Sequence, residues 1–77
     1  SGINFDNCSD ESIISYSLIR DSNSSGISCN SSSNPEITNN TITNNSAGSD
    51  GGGIYCEYNS DPQITNNTIT NNSAGSG

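Results

Sequence analysis

Apolar residues are sparse in this chain, and most stand alone between polar neighbours. Ile54 and Cys56 alternate with Tyr55 and Glu57, the two-residue period of a half-buried β-strand. Ile37 and Ile42, and again Ile64 and Ile69, are five residues apart, a separation that strict alternation would send to opposite faces. A corner is therefore predicted between them. The Asn39-Asn40 pair in that interval suits it, because asparagine tolerates the left-handed backbone region better than most residues and its amide bonds locally. The same reasoning places a second corner at Asn44-Asn45. Gly48, Gly51, Gly52 and Gly53 are expected to form the looser turn that follows.

The pattern is periodic over a longer distance. Residues 37–49 read ITNNTITNNSAGS, and residues 64–76 repeat them letter for letter at an offset of 64 − 37 = 27. The offset carries on outside that block: Gly26-Ile27-Ser28-Cys29 answers to Gly53-Ile54-Tyr55-Cys56, and Asn34-Pro35-Glu36 to Asp61-Pro62-Gln63. A more diverged copy lies upstream, where Gly2-Ile3-Asn4-Phe5 precedes Gly26-Ile27-Ser28-Cys29 by 24 and Ile14 and Ile19 precede Ile37 and Ile42 by 23. Three units follow, spanning approximately residues 2–25, 26–52 and 53–77 of a single segment.

A unit of this length cannot bury an inner face alone. Stacked on its copy, each strand pairs in parallel with its equivalent at roughly 4.8 Å, and like residues form columns. The predicted columns are Ile3 with Ile27 and Ile54, Phe5 with Cys29 and Cys56, Ile14 with Ile37 and Ile64, and Ile19 with Ile42 and Ile69. Asn39 over Asn66 and Asn44 over Asn71 are expected to form inward ladders, each amide donating to the carbonyl of the next. The expected fold class is all-β, a parallel β-helix (β-solenoid) of about three coils.

Composition alone would suggest disorder, since only 26% of residues are hydrophobic and 12% charged. The repeat reverses that reading, because register-matched stacking stands in for hydrophobic volume. An ordinary helical domain is excluded. With one cation, Arg20, no Lys, no His and a net charge of −7, the chain has almost nothing to offer phosphate, so nucleic acid is not an expected partner. No stretch approaches the roughly 20 apolar residues of a spanning helix, and no membrane insertion is expected.

The units carrying GI-x-C, N/D-P-x-I and I-T-N-N-T-I-T-N-N resemble right-handed parallel β-helix repeats, the pectate-lyase-like solenoids, over nearly the whole chain. The resemblance implies right-handed coiling. It also spans polysaccharide lyases and hydrolases, phage tailspikes and adhesins, so it implies no single activity. Its lyases use acidic calcium ligands with an Arg or Lys base, and its hydrolases use clustered Asp residues with a His nearby. Here Arg20 lies in the most diverged unit and the acids Asp6, Asp10, Glu11, Asp21, Glu36, Asp50, Glu57 and Asp61 are dispersed. No catalytic residue and no cofactor are therefore expected. Asp50, in Ser49-Asp50-Gly51-Gly52-Gly53, only superficially resembles a calcium loop, and zinc spacing of the cysteines is absent, so no metal site is expected either.

The remaining candidates are an inward pair of cysteines and residues on the outside. Cys29 and Cys56 read as buried small hydrophobes or, if they approach closely enough, as a disulfide, with Cys8 outside their column. Thr41, Thr43, Thr68 and Thr70 flank inward isoleucines and form a small outward T-x-T array that resembles those of ice-binding solenoids; Leu18 and Arg20 break it upstream. Asn4, Ser28 and Tyr55, with Glu57 beside them, form an outward face on which Tyr55 would serve as a stacking platform for carbohydrate. Sequons occur at Asn7, Asn23, Asn30, Asn39, Asn44, Asn66 and Asn71; Asn23 and Asn30 are the expected glycan acceptors, since the other corner residues are expected inside. Both ends read as cut from something longer, which implies either a larger secreted solenoid or units joined end to end as a fibre. Self-association by stacking and an extracellular or cell-surface location complete the expectation.

Overall fold

The computed structural model describes residues 2–7 and 12–76, and all of its regular structure is β. The first coil contributes β1 (Ile3–Asp6), β2 (Ile13–Ser15) and β3 (Leu18–Arg20). The second contributes β4 (Ile27–Asn30), β5 (Glu36–Thr38), β6 (Thr41–Thr43) and β7 (Ser46–Ala47). The third contributes β8 (Ile54–Cys56), β9 (Gln63–Thr65), β10 (Thr68–Thr70) and β11 (Ser73–Ala74). Like strands lie over like strands, giving the sheets β1-β4-β8, β2-β5-β9, β3-β6-β10 and β7-β11, with every pairing parallel. The shortest dimension of the molecule is 15 Å, which three rungs at about 4.8 Å fill.

Register follows the isoleucines. Ile3 pairs with Ile27 and Ile27 with Ile54, Phe5 with Cys29 and Cys29 with Cys56. Ile14 pairs with Ile37 and Ile37 with Ile64, while Ile42 lies between Ile19 and Ile69. The middle rung is the core: Ile27, Cys29, Ile37 and Ile42 are all 0% exposed. The short fourth sheet, β7-β11, carries Ala74 over Ala47 and is absent from the sequence expectation, because a Ser-Ala pair has no apolar alternation to betray it.

Turns account for the unequal offsets. From Ile19 to Ile27 the chain takes eight residues, and from Ile42 to Ile54 it takes twelve (27 − 19 and 54 − 42), so four extra residues, 48–51, bulge from the second coil. Gly51 turns that bulge back with φ +61°. Gly26 is required for another reason: a Cβ there would lie 2.8 Å from the Gly53 carbonyl oxygen, from Asn45 Nδ2 and from Ile42 Cγ2. The coils pass too closely at this point for any side chain.

The asparagine corners depart from expectation in one respect. Asn39, Asn44, Asn66 and Asn71 are the residues with left-handed backbone, φ between 56° and 58°, and their side chains are not the inward ladder. The ladder is made by the residue after each. Asn40 and Asn45 are 2% and 1% exposed, whereas Asn44, Asn66 and Asn71 are exposed and Asn39 is half-buried. A left-handed residue swings the chain through the corner with its own side chain outward, which turns its successor into the core.

Each inward amide reaches back one coil. Asn67 Oδ1 accepts the Asn40 backbone N–H at 2.9 Å and an Asn40 Nδ2 hydrogen at 3.1 Å, while Asn67 Nδ2 donates to the Ile37 carbonyl at 2.8 Å. Asn72 repeats this on Asn45 (3.0 and 2.9 Å) and on the Ile42 carbonyl (2.8 Å). Between the first two coils, Asn40 Oδ1 takes the Ser17 N–H and Asn45 Oδ1 the Ser22 N–H, both at 3.0 Å, with their Nδ2 groups on the Ile14 and Ile19 carbonyls at 3.0 and 3.3 Å. The amide thus uses both donors and its oxygen in satisfying a corner that would otherwise bury bare backbone.

Truncating Asn45 to alanine strands the Ser22 N–H, the Ile19 carbonyl and half of the Asn72 amide. The expected loss is about 2–4 kcal/mol, since buried polar groups left without partners cost about 1–3 kcal/mol each and partial rehydration offsets some of that. Asn44→Gly, which keeps the left-handed corner, is expected to change stability by less than about 1 kcal/mol. Urea unfolding followed by circular dichroism distinguishes the two, and equal losses would contradict this division of labour.

Candidate functional site

Because the interior is occupied by columns, any function resides on the flanks or at the ends. On the flank of sheet β1-β4-β8, Asn4, Ser28 and Tyr55 occupy one outward column in register, as predicted. Glu57 follows Tyr55 by two residues, and the Tyr55 hydroxyl donates to its carboxylate at 3.0 Å. That bond is the largest influence raising the Tyr55 phenol above its ordinary value, ahead of desolvation and the charges of Glu57 and Asp50. The bulge at 48–51 lies against the base of this side chain: a Cβ on Gly51 would lie 2.5 Å from Tyr55 Cβ. The result is a braced aromatic ring with a carboxylate at its tip. In the two coils below, Asp6 and Asn30 pair in the Glu57 column.

The threonine array occupies the next flank. Thr41 lies under Thr68 and Thr43 under Thr70, and the hydroxyls of Thr43 and Thr70 are hydrogen-bonded to each other at 3.3 Å. Thr65 donates to Thr38 in the same way at 3.3 Å. In the first coil, Leu18 and Arg20 take the positions of Thr41 and Thr43, and Ile13 takes that of Glu36. Ile13, Leu18 and the corner residue Tyr16 are 62%, 58% and 83% exposed, so this coil presents an apolar patch where the others are polar. Arg20 there pairs with Asp21 at 3.5 Å, with both side chains mostly in solvent, and a pair so placed adds little.

A shallow groove of about 330 Å³, lined by Asn34, Pro35, Glu36, Asp61 and Gln63, lies at the starts of β5 and β9. Asn34 Oδ1 accepts the Asp61 N–H at 2.7 Å, which fixes its floor. The repeated N/D-P-x-I motif was the signal for it, although the motif alone locates a turn and not a concavity. Asp50, at the bulge, accepts the Ser76 hydroxyl at 3.0 Å and so joins the bulge to the last turn.

Of the expected glycan acceptors, Asn23 is exposed, and Asn30 is half-buried with its Oδ1 accepting from the Ser31 hydroxyl at 3.5 Å. Burial does not bar Asn44, Asn66 or Asn71, contrary to the expectation that they point inward. Cys8 lies outside the described residues. Cys29 and Cys56 stack as thiols, Cys29 buried and Cys56 exposed. Packing on the rung beneath pushes the Cys56 thiol above its ordinary value; the Asp61 charge adds to this and the hydrogen bond with Cys29 opposes it.

A raised thiol pKa means less thiolate at neutral pH and slower attack on an alkylating reagent. Cys56 is therefore expected to be carboxamidomethylated more slowly than a free cysteine near pH 7 and to gain rate as pH rises. Cys29 is expected to stay protected until the coils unfold. Peptide mass mapping reads each site separately, and Cys29 reacting ahead of Cys56 in the folded chain would contradict the stacking.

The exposed face of β9 and β10 is the last feature. Ile64 and Ile69, whose equivalents one rung down are fully buried, are 42% and 45% exposed, and β9 and β10 are exposed throughout. No residue from Gln63 to Ser76 is charged. No curated protein and no solved structure shows significant similarity to the chain. The family described as "Right handed beta helix region" matches residues 1–77. Together with three coils of parallel strands in register, that match shows that the chain belongs to the right-handed β-helix family.

Proposed function

We propose that the chain is a non-catalytic structural β-solenoid, a segment of an extracellular fibre, stalk or surface protein that associates by stacking coil on coil. One observation carries this reading: residues 63–76 bear no charge and leave Ile64 and Ile69 42% and 45% exposed, while the chain as a whole carries −7. Flank-to-flank approach of two such chains meets mutual repulsion, and stacking across the uncharged 63–76 segment meets less. The dispersed acids and a lone Arg20 already turned to Asp21 support the absence of catalysis. The acidic, lysine-free exterior supports an extracellular setting.

Light scattering over a concentration series, with electron microscopy at each step, tests the proposal. Filaments or elongated oligomers that grow with concentration are expected and should persist in high salt, because apolar and amide contacts resist screening. Compact monomers at every concentration would overturn it.

The braced Tyr55-Glu57 pair favours a second reading, carbohydrate recognition across Asn4, Ser28, Tyr55 and Glu57. A sugar ring stacking on Tyr55 would place its hydroxyls against the Glu57 carboxylate and the Asn4 amide. Glycan-array binding that Tyr55→Ala abolishes is the expected result; no binding, or binding indifferent to that substitution, would remove it.

A further inference from the structure

The face that coil 3 presents upward is chemically the face that coil 2 presents beneath it. Residues 37–49 and 64–76 have one sequence, and the contact between them is visible in full. At each of its two corners, the upper segment's Oδ1 accepts the lower backbone N–H and a lower amide hydrogen, and its Nδ2 donates to the carbonyl of the lower isoleucine. The two corners are locked by Asn67 and Asn72. On coil 3 the corresponding groups are the backbone N–H and side-chain amide of Asn67 and of Asn72, and the carbonyls of Ile64 and Ile69. These match an incoming ITNNTITNNSAGS segment group for group.

The first coil does not offer that match. Its residues at the inward corner positions are Ser17 and Ser22, whose own N–H groups are taken by Asn40 and Asn45 from above. A serine hydroxyl is one bond shorter in reach than an asparagine amide and has a single hydrogen to donate. Laid on coil 3, coil 1 would leave the corner N–H of Asn67 or the carbonyl of Ile64 without its counterpart, and likewise at Asn72 and Ile69. Head-to-tail stacking of coil 1 on coil 3 is therefore the poorer contact.

From this, and resting on the stacking reading above, we infer that the open face of coil 3 is a sequence-selective template whose occupant is the 64–76 segment of a second copy. Asn67 and Asn72 of the incoming segment determine the selectivity. Exchange of this kind conserves contacts: the donated segment leaves the coil 2 face of its own chain and makes the same bonds and the same isoleucine contacts on its host. The donor's vacated coil 2 face then carries the same template, so the exchange does not close on itself. Joining proceeds in one direction along the axis, because every inward amide reaches back to the coil before it.

A fluorescently labelled synthetic peptide of residues 64–76 tests this when titrated into the 77-residue chain, held dilute enough to stay unassembled, with anisotropy as the readout. Far-UV circular dichroism confirms that the host is folded, and the peptide alone supplies the baseline. Saturable binding is expected. The peptide carrying N67S and N72S should bind at least tenfold more weakly, whereas one carrying N66G and N71G, altered only at the left-handed corners, should stay within about threefold. Equal binding of the double-serine and native peptides, or no binding of the native peptide to a folded host, would overturn the template. If the template fails while the whole chain still assembles by scattering, the stacking reading survives; if neither peptide binding nor assembly is seen, both are lost.

Discussion

An inward asparagine that reaches back one coil is the interaction on which this molecule depends. A corner buried inside a solenoid exposes backbone N–H and C=O groups to a space where no strand partner and no water can serve them, and such groups are costly to leave bare. Asn40, Asn45, Asn67 and Asn72 meet that need at the corners between coils, each with a single side chain; Asn40 and Asn45 use both amide hydrogens and the oxygen, and Asn67 and Asn72 use the oxygen twice and one hydrogen. The isoleucine columns supply the apolar part of the core, but they are thin; Ile27, Ile37 and Ile42 with Cys29 make up most of what is fully buried. Hydrophobic area alone would not hold a chain with so few apolar residues. The columns and the amides work together because both obey one register, and a slip of one residue would bring the left-handed asparagine, with its side chain outward, to the position where the ladder needs an amide.

A core built this way restricts the interior and leaves the exterior nearly unconstrained. At one outward position, the first two coils carry Ile13 and Glu36, and the third carries Gln63. At another, Leu18 stands beneath Thr41 and Thr68. None of these exchanges disturbs the strand beneath. The fold therefore accounts for the isoleucines, asparagines and glycines and leaves function to be read from what varies: the Tyr55-Glu57 pair, the apolar patch of the first coil and the uncharged 63–76 segment.

The same distinction explains what could be read from the chain before its shape was known. Columns were legible because an isoleucine in a polar chain is conspicuous and its offsets of 23, 24 and 27 recur. The ladder was legible in kind but displaced by one residue. Two adjacent asparagines are chemically identical, strand alternation does not continue around a corner, and only the backbone angle at Asn39 or Asn44 decides which of the pair faces in. The β7-β11 pairing was hidden for a related reason: its stability comes from backbone bonds such as Ser73 N–H to the Asn45 carbonyl at 2.9 Å, and backbone bonds leave no mark on composition. Tyr55 was visible as an outward-facing aromatic, whereas the contact its base makes with the bulge at Gly51 depended on four inserted residues folding back against it.

A directional ladder also makes the two ends of the stack unequal in stability. In a solenoid each coil is held only by its neighbours, so a coil with one neighbour relies on a single interface. Coil 3 meets this by carrying the repeat in its fullest form: both of its inward amides make three bonds to coil 2, where Asn40 and Asn45 meet a serine beneath and lack the amide-to-amide contact. Coil 1, with Ser17 and Ser22 at its corners, sends no amide downward and is held from above. Asn40 and Asn45, touching the coils on both sides, therefore couple the two interfaces, and losing either weakens both at once.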